Sequence, residues 1–392
     1  MSRKAMVYPY NYEFAPILRH SSLLDSVEIT HLVSPKGWRL AGKDAGRADH
    51  GEDIGIDVSD DFATALEFVD TVIISDIGDM ATEQTRDQIS SFLLKQIEAA
   101  ACSQKDIMCF YPFNAEEKKT IKTNCEKYGV QLLAGEPQIA STLEPPKATT
   151  LHRLSVPVIF VLGITENVDK FEIQMGIREW FIRNGYKPFS IGSRKNYELL
   201  GVESFPEFFL TSELDEVQKI IKFNEYVYDV QCKLNPDIVI VGIPGGVMPL
   251  SDMYPGDFGI LSYMASNAVH PDYVILSTIY DDFMVQNTYF KELSDTMEKR
   301  LGYKTDAFNV SGSEVNWTKM STFGKLGFYH HDIGKVDEVI GKLRKAEQTY
   351  GIYNLKKVSE KEDLVNTIIN ALSGETQVDV LNRQEFMQSK TK

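Results

Sequence analysis

The chain has 392 residues, 43% hydrophobic and 25% charged, an ordinary globular composition that excludes wholesale disorder and collagen-like or low-complexity organisation. At about 150 residues per domain, that length suggests two or three domains. Lys plus Arg total 41 against 56 Asp plus Glu, a net charge of -15, so polyphosphate is repelled and nucleic-acid binding is not expected.

In chain order, short apolar runs rich in β-branched residues alternate with longer amphipathic stretches. Segments 5–8, 28–33, 71–75, 107–111 and 131–134 read as strands, with helices expected near 16–24, 60–68, 83–100 and 115–128. The strands are apolar on both faces, as in a parallel sheet covered by helices. Strand–helix alternation implies right-handed crossovers and a doubly wound sheet. The pattern breaks at 141–155, where Glu144-Pro145-Pro146-Lys147 and then Thr149 and Thr150 have linker chemistry. It then restarts. Strands are expected at 158–163, 187–191, 237–243, 273–278 and 325–329. Helices are expected at 170–184, 212–233, 258–268, 286–301, 332–349 and 360–373, with Gly185 closing the first and Ser212 capping the second. The expected organisation is therefore two Rossmann-like, doubly wound α/β domains with mainly parallel sheets. Residues 1–140 form the first and 156–350 a P-loop-like second, joined by the linker 141–155. Residues 351–392 follow as a helical extension and tail.

Arg3 and Lys4 are followed by no apolar segment of the length a secretory signal needs. The longest apolar run, 156–164, contains Pro157 and Gly163 and falls far short of the ~20 residues that cross a bilayer, so no membrane partner is expected. Cys102, Cys109, Cys125 and Cys232 lie far apart with no C-x-x-C, and read as buried thiols in a reducing cytoplasm.

The segment Gly163-Ile164-Thr165-Glu166-Asn167-Val168-Asp169-Lys170-Phe171 joins an expected buried strand to an expected helix. That is where a phosphate-binding loop sits, with backbone N–H groups and a Lys reaching phosphate oxygens. The pattern is degenerate. Asp169 replaces the Gly before Lys, Phe171 replaces the Ser/Thr that holds magnesium, and the spacing from Gly163 is one residue too long. Glu166 and Asp169 also oppose an anion. An ordinary strand–helix turn, with Asp169 as an N-terminal acid, remains the other reading. Pro244-Gly245-Gly246-Val247-Met248-Pro249 follows the expected strand 237–243. Two glycines at a strand's carboxyl end let the backbone approach a ligand in the crevice, or simply make a rigid turn. Tyr254, in the next segment, stands where a lid beside that crevice would lie.

Two further sites are expected in the first half. The segment 34–47 carries Lys36, Trp38, Arg39, Lys43 and Arg47 with three glycines. It reads as an anion- or peptide-contact loop or as a solvated connection. Asp76 and Asp79 follow the expected strand 71–75, as ligand carboxylates or as a cap and turn. His330 and His331 are adjacent, so on a strand they face opposite ways, and no metal site is assigned. There is no G-x-S-x-G elbow and no G-x-G-x-x-G fingerprint.

Several segments together resemble the peptide maturation system proteins encoded beside ribosomally made, post-translationally modified peptides. They are Tyr8-Pro9-Tyr10, Ser34-Pro35-Lys36-Gly37-Trp38 with Gly42-Lys43-Asp44, Pro236-Asp237 with Gly242-Ile243-Pro244-Gly245-Gly246, and His270-Pro271-Asp272-Tyr273-Val274-Ile275. The resemblance implies a cytoplasmic role in maturing a precursor peptide, with an acyl-carrier-like protein or a separate modifying enzyme as partner. It carries over no active-site residue. The second half is similar, more distantly, to P-loop nucleotide-binding proteins. The expectation is an accessory factor that binds a ligand or peptide and retains a degenerate nucleotide site; the alternative is a nucleotide-dependent enzyme subunit modifying the peptide. Gly163, Thr165, Lys170, Gly245 and Gly246 would meet phosphate, with a purine nucleotide as the cofactor considered. Lys36, Trp38, Lys43, Asp76, Asp79 and Tyr254 would meet the cleft ligand or peptide, and a homodimer is the assembly considered.

Overall fold

The computed structural model describes residues 2–78, 85–133, 143–252, 254, 256, 258–285, 288–319, 326–346 and 349–373. The first unit contains β1 (Arg3–Tyr8), α1 (Ala15–Arg19), β2 (Val27–Val33), β3 (Val58–Ser59), α2 (Phe62–Leu66), β4 (Thr71–Ile74), α3 (Arg86–Cys102), β5 (Asp106–Cys109), α4 (Ala115–Tyr128) and β6 (Leu132–Leu133). Its sheet is parallel throughout, in the order β3-β2-β1-β4-β5-β6. That is the doubly wound order, whose direction reverses between β1 and β4 and opens a crevice at their carboxyl ends. Side chains alternate along β1: Met6 and Tyr8 enter a core with Leu93, Ile97 and Ile121 of α3 and α4, whereas Ala5 and Val7 face the other way.

The second unit contains β7 (Val158–Gly163), α5 (Lys170–Arg183), β8 (Pro188–Gly192), β9 (Glu203–Ser204), α6 (Glu207–Leu210), α7 (Glu216–Leu234) and β10 (Ile238–Gly242). It continues through α8 (Ile260–Ala268), β11 (Tyr273–Thr278), α9 (Tyr289–Leu301), β12 (Ala307–Val310), β13 (Ser313–Val315), β14 (Phe328–His330), α10 (Ile333–Ala346), β15 (Gly351–Tyr353) and α11 (Val358–Leu372). Seven parallel strands run β15-β12-β11-β7-β10-β8-β9, with the all-apolar β7 and β10 buried at the centre. Both units are thus α/β with mainly parallel sheets, as the alternation of elements implies.

Several expectations need correction. Residues 351–372 are more than a helical extension: β15 closes the second sheet's edge, and Leu364, Val365 and Ile368 of α11 pack on Ile173, Ile177 and Phe181 of α5. The late strand begins at Phe328 and pairs antiparallel with β13 in a separate two-stranded ribbon. Asp215, not Ser212, caps α7, because its carboxylate accepts from Gln218 N–H in a reciprocal capping box. Only Cys125 is buried; Cys102 and Cys232 are exposed, and Cys109 lies between. Burial pushes the Cys109 thiol up to about 12, so it is inert rather than reactive.

Candidate functional site

The first crevice holds no dinucleotide cradle. The turn after β1 carries Tyr10 and Phe14, both fully buried, where a pyrophosphate-binding chain has glycines, and the Tyr10 hydroxyl donates to Ala45 O at 2.7 Å. The following helix has five residues. Instead, the crevice opens toward the second unit. A cavity of about 380 Å³ lies between them. The first unit lines it with Tyr12, Glu13, Asp49 and Asp76, and the second with residues 166–172, Ser193, Arg194, Gly245, Ser313, His330 and Lys356. The second unit's contributors follow β7, β8, β10 and β12, so both sheets present their carboxyl ends to one space.

The β7–α5 turn is tightly determined. A Cβ at Gly163 would lie 2.6 Å from both Thr165 O and Val168 Cγ2, so the turn folds back over its own start. Asn167 (φ 55°) and Asp169 (φ 60°) adopt the left-handed conformation, which Asn and Asp tolerate better than most residues. Ser313 Oγ donates to Asn167 O at 2.7 Å, and Ser277 Oγ donates to Val168 O. Gly246 packs on the turn: a Cβ there would lie 2.7 Å from Ile164 O and 3.2 Å from Thr165 Cα. Thr165 is buried against that contact rather than in the cavity, whereas Gly245 (φ 74°) lines the cavity.

Each position of the phosphate-loop pattern has a protein partner. Lys170 Nζ donates to Gly245 O. Asp169 pairs with Lys356 at 3.3 Å. Phe171 stacks on Tyr197 with centroids 3.3 Å apart and planes 6° from parallel, inside the apolar core shared by the two units. An aromatic ring in that core offers no oxygen to a magnesium ion.

Behind this turn, charges from three parts of the chain converge. Arg19 forms a bidentate pair with Asp49 and reaches Glu172 at 3.1 Å. His20 lies 3.2 Å from Glu172 and 2.6 Å from Glu179. Lys361 completes the set on Glu172, its stem crossing Gly176, where a Cβ would collide with it. Burial alone would raise the Glu172 carboxyl, but Lys361, His20 and Arg19 hold it well below the usual range. Burial opposes the charge on His20 as well, yet Glu172 and Glu179 raise its pKa. Lys356 likewise stays charged against burial because Asp169 and Asp49 face it. At the cavity's other wall Arg194 pairs with Glu13 at 2.7 Å.

Among the residues expected at the site, Asp76, Lys170 and Gly245 line the cavity. Asp76 is held by Asn196, which donates to Asp76 O at 3.0 Å and accepts from its N–H at 2.8 Å, while the Asp76 carboxylate accepts from Gly78 N–H at 3.0 Å. Lys36 and Lys43 are exposed and stand outside the cavity, and Trp38 packs against the α3–α4 side of the first sheet. The 34–47 segment is no open loop: the Asp44 carboxylate accepts from Gly46, Ile54 and Gly55 N–H, folding it against 54–58. Tyr254 bridges Ser251 away from the cavity, and Asp79 lies outside the described residues. The sequence reading missed Glu13, Arg194 and Lys356, and weighed His330 only as a metal ligand without assigning it to the cavity. Arg194 and His330 carried a signal, because each follows a predicted strand's carboxyl end.

Among the described residues no helix is long and apolar enough to cross a membrane, and no group of three or more His, Cys, Asp and Glu is placed to hold a metal ion. No protein-family model matches the chain, and no curated protein matches it. Of solved structures, a DUF1611 family protein from Anabaena variabilis is similar over 94% of this chain and 100% of its own, with a TM-score of 0.57 at 9% identity. A GTPase from Pyrococcus abyssi aligns over 56% of this chain and 98% of its own, at 13% identity and a TM-score of 0.28. Chloroplast FtsY from Physcomitrella patens aligns over 74% and 91%, at 12% identity and 0.31. Only the first score is high enough to speak of a common fold, and at 9% identity the likeness is one of fold alone.

Proposed function

We propose that this chain is a binding protein whose interdomain cavity holds a small polar ligand or a peptide segment, and that it does not hydrolyse nucleoside triphosphates. The carrying observation is the β7–α5 turn. Lys170 is engaged by Gly245 O, Asp169 by Lys356, and Phe171 by Tyr197, so the lysine, glycine and hydroxyl positions of a phosphate loop all serve the protein's own packing. Six carboxylates line the cavity — Glu13, Asp49, Asp76, Glu166, Asp169 and Glu172 — against the cations Lys170, Arg194 and Lys356, a balance that disfavours a polyanion. The resemblance of the Ser34–Trp38 and Gly242–Gly246 segments supports a place in cytoplasmic maturation of a ribosomally made peptide, as an accessory factor.

Calorimetry and thermal shift test this with Mg-ATP, Mg-GTP, their diphosphates and the precursor peptide. A ligand at 100 times its Kd stabilises the native state by about 2.7 kcal/mol, an easily read shift. The expected result is a shift with peptide and neither a shift nor phosphate release with nucleotide. A nucleotide shift abolished by Lys170→Ala would overturn the reading in favour of a nucleotide-dependent enzyme subunit.

A further inference from the structure

We propose that His330 is the proton acceptor of the interdomain cavity, presenting an unprotonated Nε2 to a ligand hydroxyl or N–H group while Ser313 fixes its Nδ1. This assignment rests on the cavity being the ligand site. Register brings the two residues together: Ser313 and His330 are directly opposed in the antiparallel β13–β14 ribbon, and both line the cavity. Ser313 has one hydroxyl proton, which it donates to Asn167 O at 2.7 Å. His330 Nδ1 lies 3.3 Å from the same Oγ. An oxygen whose proton is already given away only accepts, so Nδ1 carries the ring hydrogen. In the neutral ring the lone pair is then on Nε2.

The base is thereby tied to the phosphate-loop-like turn, because the carbonyl that takes the Ser313 proton belongs to Asn167, held left-handed at φ 55°. His50 stacks on the ring with centroids 5.6 Å apart and restrains its plane. The groups facing His330 are Lys356 and His50, which oppose its protonation, and Asp169 and Asp49, which favour it. His330 keeps an exposed edge, but desolvation of the ring against the cavity wall and Lys356 hold its pKa below the usual 6.5, which favours the neutral ring. When the ligand's X–H bond breaks, X keeps the electron pair and the proton forms an Nε2–H bond. The resulting imidazolium keeps Nδ1–H on Ser313 and faces the carboxylates of Asp169 and Asp49. His331 makes the contrast. It faces the opposite side of the ribbon, where Glu314 and Tyr280 engage it, and has no place in the cavity.

The test reads the ring directly in the full-length protein labelled with ¹⁵N-histidine. Two-bond ¹H–¹⁵N correlation spectra at pH 7.5 should show His330 protonated at Nδ1 only, its signal identified by its absence in His330→Gln. Ser313→Ala should lose that single tautomer. Diethyl pyrocarbonate, which acylates an unprotonated ring nitrogen, should label His330 at pH 7, as read by peptide mass spectrometry. A wild-type ring protonated at Nε2, a ring doubly protonated at pH 7.5, or a His330 that resists the reagent overturns the inference and leaves the ligand-binding reading standing. A correct tautomer in a protein that does not bind the precursor peptide overturns the peptide-binding reading, and with it the proton-acceptor role toward a peptide group.

Discussion

Glu172 is one carboxylate facing three cations from separate parts of the chain, and its surroundings decide how the protein answers to pH. Its pKa is depressed, and that of Glu179 is lowered to about 2, so their stabilisation is present above 4.5, the unfolded value, and is lost as pH falls. His20 is raised above 6.5, so its contribution is complete below that value and disappears as pH rises through the folded-state pKa. These groups together place maximum stability between about 4.5 and 6.5. His20→Gln should flatten the alkaline side of a plot of denaturation midpoint against pH and also soften the acid side, because the ring helps hold Glu172 and Glu179 down; an unchanged alkaline side would show that His20 is not charged in the fold. Phe171 offers a second test at this scale. Phe171→Ser places a hydroxyl at the magnesium position, but it removes a buried ring stacked on Tyr197. Loss of such a ring costs about 3–5 kcal/mol. The variant should melt well below the wild type and still release no phosphate from Mg-ATP. Sequence inspection identified Phe171 as a departure from the pattern, but not its role: its partner Tyr197 lies in a different segment, and nothing in the local pattern connects the two.

At the scale of elements, the long apolar runs were legible. Segments 158–163, 273–278 and 115–128 have the bounds of β7, β11 and α4, because continuous burial and a capped amphipathic stretch are local signals. Strands β3, β9 and β15 were not, since two or three residues carry no periodicity and owe their pairing to a neighbouring strand. The linker shows the same limit. Two prolines and polar residues marked residues 141–155 as a linker; residues 143–155 of it lie among the described residues and have no regular structure, yet they are strapped along α7. Asn224, buried within that helix, accepts from His152 N–H at 2.6 Å and donates to His152 O at 3.1 Å and to Ala268 O at 2.9 Å. Gln231 Oε1 accepts from the N–H groups of Ser155 and Val156. Asn224→Ala leaves three backbone groups without that partner, and unsatisfied buried groups cost about 1–3 kcal/mol. Limited proteolysis should cut the variant faster than the wild type within 143–155. Equal rates would mean that Asn224 does not hold the strap.

For the molecule as a whole, the question is whether two sheets mean two independently stable domains. The first unit's α1 is too short to cover the sheet face that carries Ala5, Val7, Ile29 and Ile73. That face is completed by Phe171, Met175, Tyr197, Leu200 and Val202 of the second unit. The buried charges cross the same seam, from Arg19 and His20 to Glu172, Glu179 and, through Glu172, Lys361. Alternation of elements located both units, but their contact was hidden: an ion pair such as Arg19–Glu172 joins residues that no local pattern relates. A shared core of this kind couples the units, because exposing either face costs apolar burial and unpairs buried charge at the same moment. The expected behaviour is one cooperative transition. The three tryptophans can report on it separately, Trp38 from the first unit and Trp180 and Trp317 from the second. In variants that keep one tryptophan each, the urea midpoints read by fluorescence should coincide. Arg19→Ala removes Asp49's bidentate partner and one of the cations on Glu172, a loss of about 3–5 kcal/mol for a broken buried pair. It should therefore lower the Trp38 and Trp180 midpoints together. Midpoints that separate between the single-tryptophan variants with Arg19 intact would mean that the seam is a contact between independent domains, and then the cavity between them would open and close without unfolding either one.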